Sequence, residues 1–90
     1  MAHANLEVDL VAPAGRVWAG EATAVVAPAE DGSVGILPAH APILAVLGTG
    51  RVKITEVGGR VLACDVEGGF LSVDADRVTI VVDVAGELRG

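Results

Sequence analysis

Residues 51–66 read RVKITEVGGRVLACDV, and this stretch decides the fold. Across residues 51–57, valine and isoleucine alternate with lysine and threonine, the period-2 pattern of a strand with one buried and one solvated face. Two glycines follow at 58–59, and a Gly-Gly loop supplies the positive φ angles of a type I′ hairpin turn. A second aliphatic run occupies residues 60–66. The stretch therefore predicts a β-hairpin.

The same design recurs on both sides of this hairpin. Further strands are predicted over residues 6–10, 17–27, 70–74 and 77–84. No apolar stripe with helical spacing lasts for about 11 residues, the length of an average helix. Because a chain of this size buries only about 60% of its unfolded surface, it has room for one core. Residues 1–90 are predicted to form one all-β domain, a small β-sandwich or flattened barrel.

Composition excludes several classes of partner. The chain has 12 acidic and 6 basic residues and a formal net charge of -6. Such a charge repels phosphate backbones and anionic lipid headgroups, so neither nucleic-acid binding nor direct insertion into lipid is expected. No apolar run approaches the roughly 20 residues that span a bilayer, and the amino terminus lacks the features of a signal peptide. A soluble or peripherally attached intracellular protein is expected.

The chain has few residues that could perform catalysis or bind a metal. His3 and His40 lie far apart, and Cys64 is the single thiol, so no intrachain disulfide, metal cluster or nucleophile–base pair is predicted. Cys64 shares a strand face with Leu62 and Val66 and is interpreted as a core side chain. We therefore predict no catalytic residue, no cofactor site and no metal site.

Three other short motifs have structural interpretations. Gly48-Thr49-Gly50 leads into a strand and lacks the third glycine of a dinucleotide fingerprint, so it is interpreted as a turn. Asp74 and Asp76 lie at a hairpin tip, where solvated carboxylates have no apolar pocket to shift their pKa. The pair Gly68-Gly69 predicts a bulge, a tight bend or a close backbone approach, and the sequence does not rank these.

His40 lies within a proline-bounded segment, residues 38–42, which reads PAHAP. No acid, cysteine or second histidine is near it in sequence, so a catalytic role is not expected. Two interpretations are open: an exposed loop histidine, and a contact with another protein. A stiff loop favours the second, because it presents side chains at low entropic cost.

Residues 31–42 read DGSVGILPAHAP, and this run resembles the loop of the ATP synthase epsilon subunit, called delta in mitochondria. In that family an acidic residue and a glycine precede Gly-Ile-Leu-Pro and then His-Ala-Pro. The similarity extends over nearly the whole chain, through residues 10–13, 20–22, 50–54, 68–73, 78–80 and 83–85.

The resemblance implies a β-sandwich of about ten short strands at the foot of the central stalk. Such a subunit couples the c-ring rotor to the gamma shaft during proton-driven ATP synthesis and is not itself an enzyme. It would lie at the cytoplasmic face of the cell membrane as a peripheral component of the complex. Carried over by position, the c-ring side comprises Asp31, Gly32 and Ser33, and the gamma side comprises His40, Ala41, Pro42 and Ile43.

The chain departs from the family in three places. Ser33 replaces an acidic residue found in some relatives, which removes a carboxylate from a charge-pair contact, and Ala39 stands where glycine is frequent. Family members usually continue into two C-terminal helices, whereas this sequence ends at Gly90. An inhibitory switch needs an element with a second set of contacts. We therefore expect neither inhibition of ATP hydrolysis nor specific ATP binding.

Two rival functions belong to other classes. One is a stand-alone β-sandwich module that binds a small molecule or a protein, and the other is a small hydrolase. A deep pocket with convergent polar groups would favour small-molecule binding, whereas an exposed apolar surface patch would favour docking to another protein. The hydrolase lacks a nucleophile–base pair.

Overall fold

Alternation of aliphatic and polar residues produces an all-β fold in the computed structural model, which describes residues 5–90. His3 lies outside the described residues. Within residues 5–90 there is no helix that could cross a membrane. The strands are β1 Leu6–Ala12, β2 Gly15–Ala29, β3 Gly32–Ile36, β4 Ile43–Val46, β5 Thr49–Glu56, β6 Val61–Asp74 and β7 Arg77–Ala85.

The strand pairings close on themselves. The order β1-β7-β6-β5-β2 returns to β1 because β1 also pairs with β2, while β3 extends the sheet from β2 and β4 pairs with β6. The pairing of β1 with β7 is parallel and the other pairings between strands are antiparallel. The predicted all-β class, a sandwich or flattened barrel, is confirmed.

The strand count differs from the expected ten or so, because two long strands each serve two groups of neighbours. β2 pairs with β1 through its first half and with β5 and β3 through its second, with a register shift between Ala22 and Ala24. β6 pairs with β5 through its first half and with β7 and β4 through its second. The described chain therefore has seven strands.

The predicted hairpin joins β5 to β6. Gly58 and Gly59 have φ angles of 103° and 101°, so the expected positive φ values are present. The loop is longer than the two residues of a type I′ turn. The Glu56 amide donates to the Arg60 carbonyl at 2.7 Å, which leaves Val57 in the loop with the two glycines.

The pair Gly68-Gly69 marks a close backbone approach. Both residues have positive φ, 67° and 118°, at the point where β6 exchanges one set of neighbours for another. A Cβ on Gly69 would overlap the Val81 carbonyl oxygen and lie 2.8 Å from the Val82 Cα. Only glycine satisfies both constraints here.

The core is aliphatic, and within residues 5–90 no polar or charged residue is buried. Cys64 is 1% exposed, which confirms its interpretation as a core side chain. The largest fully buried side chains are Leu6, Leu10, Ile36, Ile54, Leu71, Ile80, Val25, Val52, Val66, Val73, Val78 and Val82.

Candidate protein-docking surface

Two neighbouring cross-strand rows expose aliphatic and aromatic side chains on the outside of the sheet. In the first, Val46 pairs with Phe70 and Phe70 pairs with Val81, which pairs with Val11. In the second, Leu44 lies opposite Ser72. We call this surface the apolar face, defined by Val11, Leu44, Val46, Phe70 and Val81.

The apolar face is open to solvent. Leu44 is 74% exposed, Val46 is 56% exposed and Phe70 is 43% exposed. Leu71 and Val73 point to the core on the same strand as Phe70, because successive strand residues alternate between faces. A contiguous exposed apolar patch on a small domain is typical of a protein-docking surface.

Two salt bridges border the apolar face. The Arg16 Nε atom lies 3.0 Å from Asp9 Oδ1, and an Arg77 guanidinium nitrogen lies 2.9 Å from Glu7 Oε2. Asp9 occupies the β1 strand two residues before Val11. An apolar centre with a charged rim is the usual anatomy of a protein interface.

The segment containing His40 is held at one end of β4. The Ala39 amide donates to Asp76 Oδ1 at 2.6 Å, and the His40 amide donates to the Leu37 carbonyl at 3.2 Å. His40 Nδ1 lies 2.6 Å from the Ala41 carbonyl oxygen. The loop is thus tied to the β6–β7 turn, and it leads directly into β4.

Exposure differs among the predicted gamma-side residues. Ala41 and Pro42 are exposed, whereas His40 is half-buried. Ile43 is also half-buried, and it packs against the core. Ala41 and Pro42 are therefore free to contact a partner, while Ile43 also supports the fold.

The predicted c-ring-side residues lie near the other end of β4. Asp31 is exposed in the β2–β3 turn, Gly32 begins β3 with φ 132°, and Ser33 pairs with Pro28. The Glu30 amide donates to the Val46 carbonyl at 3.0 Å. A groove of about 340 Å³ lies between this turn and β4, lined by Ala29, Glu30, Asp31, Leu44, Ala45 and Val46.

The structure thus joins both predicted groups through β4, and it adds residues that sequence reasoning missed. Leu44, Val46 and Phe70 were not predicted as site residues, although they are the most exposed members of the apolar face. Asp76 was interpreted as a solvated hairpin-tip residue, yet its carboxylate accepts the Ala39 amide. A carboxylate in a turn carries no sequence signal for a contact 37 positions away.

The described residues form open grooves on the surface, and no catalytic site was predicted in any of them. One groove has a volume of about 490 Å³ and is open, with Arg51, Asp65 and Glu67 among its lining residues. Arg51 and Asp65 are paired with each other at 2.9 Å. Within residues 5–90 no group of three or more histidine, cysteine, aspartate or glutamate side chains is placed to hold a metal ion.

A model of the β-sandwich domain of the ATP synthase delta/epsilon chain matches residues 5–87. The chain belongs to this family. The match includes every strand of the fold and both predicted contact segments.

Curated relatives support the same membership. The chain is 44% identical over 82 residues to the ATP synthase epsilon chain of Micrococcus luteus, of which it covers 90%. It is 46% identical over 83 residues to the epsilon chain of Streptomyces griseus, of which it covers 66%. Some relatives therefore have about the length of this chain, and others extend beyond it.

Solved structures share the fold at lower identity. A chain of the Euglena gracilis mitochondrial ATP synthase, from a cryo-EM structure of OSCP, F1 and c-ring, matches with a TM-score of 0.87 and 20% identity. The match covers 96% of this chain and 55% of that one. A chain from the central stalk and c-ring of the Tetrahymena thermophila enzyme has a TM-score of 0.74 and 22% identity, covering 97% and 69% respectively.

Proposed function

We propose that the chain is a non-catalytic central-stalk subunit of an ATP synthase that couples the c-ring to the gamma shaft. Family membership and similarity to chains of central-stalk complexes support this role. As part of that assembly the subunit lies peripherally at the cytoplasmic face of the membrane. The apolar face is the observation that carries the proposal.

The apolar face supplies the contact with gamma. Leu44, Val46 and Phe70 lie side by side and lose most of their solvent contact if another protein covers them. Full burial of one such side chain contributes roughly 1.5–3 kcal/mol. Several of them together offset a substantial part of the entropy cost of association. The adjacent Ala41 and Pro42 extend the same contact.

The β2–β3 turn supplies the contact with the c-ring. Asp31 is exposed at this turn, next to the groove beside Leu44. Gly32 and Ser33 complete the turn and begin β3. β4 carries Leu44 and Val46 of the apolar face, and its Val46 carbonyl accepts the Glu30 amide beside this turn, so a force applied at one contact reaches the other through β4.

The pairing scheme suits a mechanical role. β1, β5 and β7 each have two neighbouring strands and β2 and β6 each have three, so their displacement requires breaking hydrogen bonds on both sides. Such elements open with high free energies compared with free edges and loops.

We also propose that the domain does not bind ATP specifically. No phosphate-cradling glycine loop opens a helix in residues 5–90, because these residues contain no helix.

A pair of matched variants tests the contact with gamma. Leu44→Asp places a charge at the most exposed position of the apolar face, while Val61→Asp does the same at a 47% exposed site elsewhere. We expect Leu44→Asp to weaken co-purification with gamma by at least about tenfold. Val61→Asp should retain wild-type affinity.

Both variants must first show the wild-type circular dichroism spectrum and a similar thermal midpoint. Leu44 is a better test site than Ile43, because Ile43 packs on the core and its replacement would also lower stability. Equal gamma binding by wild type and Leu44→Asp would refute the assignment of the apolar face. Calorimetry with millimolar ATP, showing no heat of binding, tests the second part of the proposal.

A further inference from the structure

A second outward surface is built by other strands and has a different chemistry. Lys53 pairs with Val26 on β2 and with Ala63 on β6, and Ala63 bridges to Arg89 in the C-terminal segment, residues 86–90. Arg51 and Val61 lie on the same side of the sheet. We call this surface the basic face, defined by Val26, Arg51, Lys53, Val61, Ala63 and Arg89.

The basic face concentrates positive charge on an acidic protein. It carries three of the six basic residues of a chain whose net charge is -6. Two carboxylates lie beside these cations: Asp65 is hydrogen-bonded to Arg51 at 2.9 Å, and Glu87 lines the same recess as Arg89. Within residues 5–90 no carboxylate lies at salt-bridge distance from the Lys53 ammonium group. Lys53 and Arg89 are therefore available to an acidic partner.

The shape of the basic face suits a helix. Val26 is 40% exposed and Val61 is 47% exposed, while the intervening positions include the small side chain of Ala63. A recess of about 210 Å³ lies between β6 and the C-terminal segment, with Val61, Ala63 and Arg89 among its lining residues. The small side chain of Ala63 lets a helix approach the sheet closely at this position.

Strand addition is blocked at the β6 edge beside this recess. The Ala63 amide donates to the Arg89 carbonyl at 2.7 Å, and the Arg89 amide donates back at 2.9 Å. The Gly86 amide also donates to the Asp65 carbonyl at 2.8 Å. Because the C-terminal segment already satisfies this edge, a partner must bind across the side chains of the face.

We propose that the basic face docks an acidic amphipathic helix from another polypeptide. Its aliphatic side chains pack on Val26, Val61 and Ala63. Its carboxylates pair with Lys53 and Arg89, which flank Ala63 in the cross-strand row. This contact uses the first half of β6, whereas the gamma contact proposed above uses the second half. The two bindings are therefore independent.

Chemical-shift titration of the full 90-residue chain tests the proposal. Two synthetic helical peptides of about 18 residues, or five turns, carry the same leucine stripe, flanked by glutamate in one and lysine in the other. We expect the glutamate peptide to shift the amide signals of Val26, Lys53 and Ala63, and to bind at least about tenfold more tightly than the lysine peptide. Added salt should weaken the binding.

Charge-reversal variants provide the control. The double variant Lys53→Glu/Arg89→Glu should lose the preference for the glutamate peptide, whereas Arg16→Glu, outside the basic face, should retain it. Equal affinity for both peptides, or the absence of shifts on the basic face, would overturn the inference. Shifts confined to Leu44, Val46 and Phe70 would also overturn it, and they would leave the proposed gamma contact intact.

Discussion

The apolar face and the basic face are made by two halves of the same strand. In its first half β6 presents Ala63 and Asp65 to solvent between β5 and the C-terminal segment. In its second half it presents Phe70 and Ser72 between β4 and β7. One face exposes large apolar groups and the other exposes cations. The chemistry of each surface therefore depends on the neighbouring strands as much as on β6 itself.

The change of neighbours occurs at the two glycines in the middle of β6. Before Gly68 the strand pairs with β5, and after Gly69 it pairs with β4 on that same edge. The Leu47 amide donates to the Gly69 carbonyl at 2.9 Å, and the Gly68 amide donates to the Gly48 carbonyl at 3.1 Å. These bonds fix the β4–β5 connection to the crossing point, so disruption here should damage both faces together.

Gly69→Ala is expected to have the largest effect. The added Cβ would overlap the Val81 carbonyl oxygen, and the φ angle of 118° is unfavourable for any residue with a side chain. Strain and overpacking together should cost about 3 kcal/mol or more. For a domain of this size, we expect the thermal midpoint to fall by more than about 10 °C. Calorimetry of the isolated chain measures this shift.

Gly35→Ala is the matched control for that variant. A Cβ at Gly35 meets no atom within 4 Å, and its φ lies outside the left-handed region. The change should stay within about 0.5 kcal/mol, as for most surface substitutions. If Gly69→Ala were as mild as Gly35→Ala, the two faces would not depend on a rigid crossing at this position.

Much of the fold could be predicted from the sequence because its strands alternate regularly. The hairpin at residues 51–66 combines period-2 alternation with two glycines, and each feature has one simple structural meaning. The strand number could not be obtained in this way. The buried positions change parity within both long strands, between Ala22 and Val25 in β2 and between Val66 and Leu71 in β6. Such a break does not show whether the strand ends there or continues with new neighbours.

The candidate docking surface was less predictable. The segments containing Asp31 and His40 were found because their residues resemble a family loop. Phe70 and Leu44 were missed, since each lies beside another apolar residue, Leu71 or Ile43, and either member of such a pair could face the core. Only the register shows that Leu71 is fully buried and Leu44 is 74% exposed.

The thiol of Cys64 reports on the packing beneath the basic face. Burial and the negative charge of Asp65 raise the pKa of this thiol above its ordinary value. The thiol lies 3.5 Å from the Gly86 carbonyl oxygen, next to the C-terminal segment. Alkylation by iodoacetamide in the folded protein should be slower than in the unfolded chain by about tenfold or more, because it requires local opening.

A docked helix should slow this alkylation further, since it covers the C-terminal segment that must open. A peptide bound at the apolar face should leave the rate unchanged, and this contrast distinguishes the two surfaces. Mass spectrometry of the native and urea-unfolded chain measures both rates. An alkylation rate in the native chain equal to that in urea would show that the segment does not protect β6.

The smallest expected effect concerns the salt bridge on the basic face. The hydrogen bond and positive charge of Arg51, together with the charge of Arg89, hold the pKa of Asp65 below its ordinary value. Ionised Asp65 therefore stabilises the fold above the ordinary aspartate pKa, near 4, and this contribution is lost as the pH falls through the lowered folded-state pKa. Both side chains are more than half exposed, so screening by water and salt keeps the effect on stability small.

Arg51→Gln should raise the Asp65 pKa towards its ordinary value in a carbon-detected NMR titration. Arg77→Gln, which removes a salt-bridge cation outside the basic face, should leave the Asp65 midpoint unchanged. If Arg51→Gln also left it unchanged, the carboxylate would not be held by Arg51 in solution, and Arg51 would remain available to the same acidic partner as Lys53.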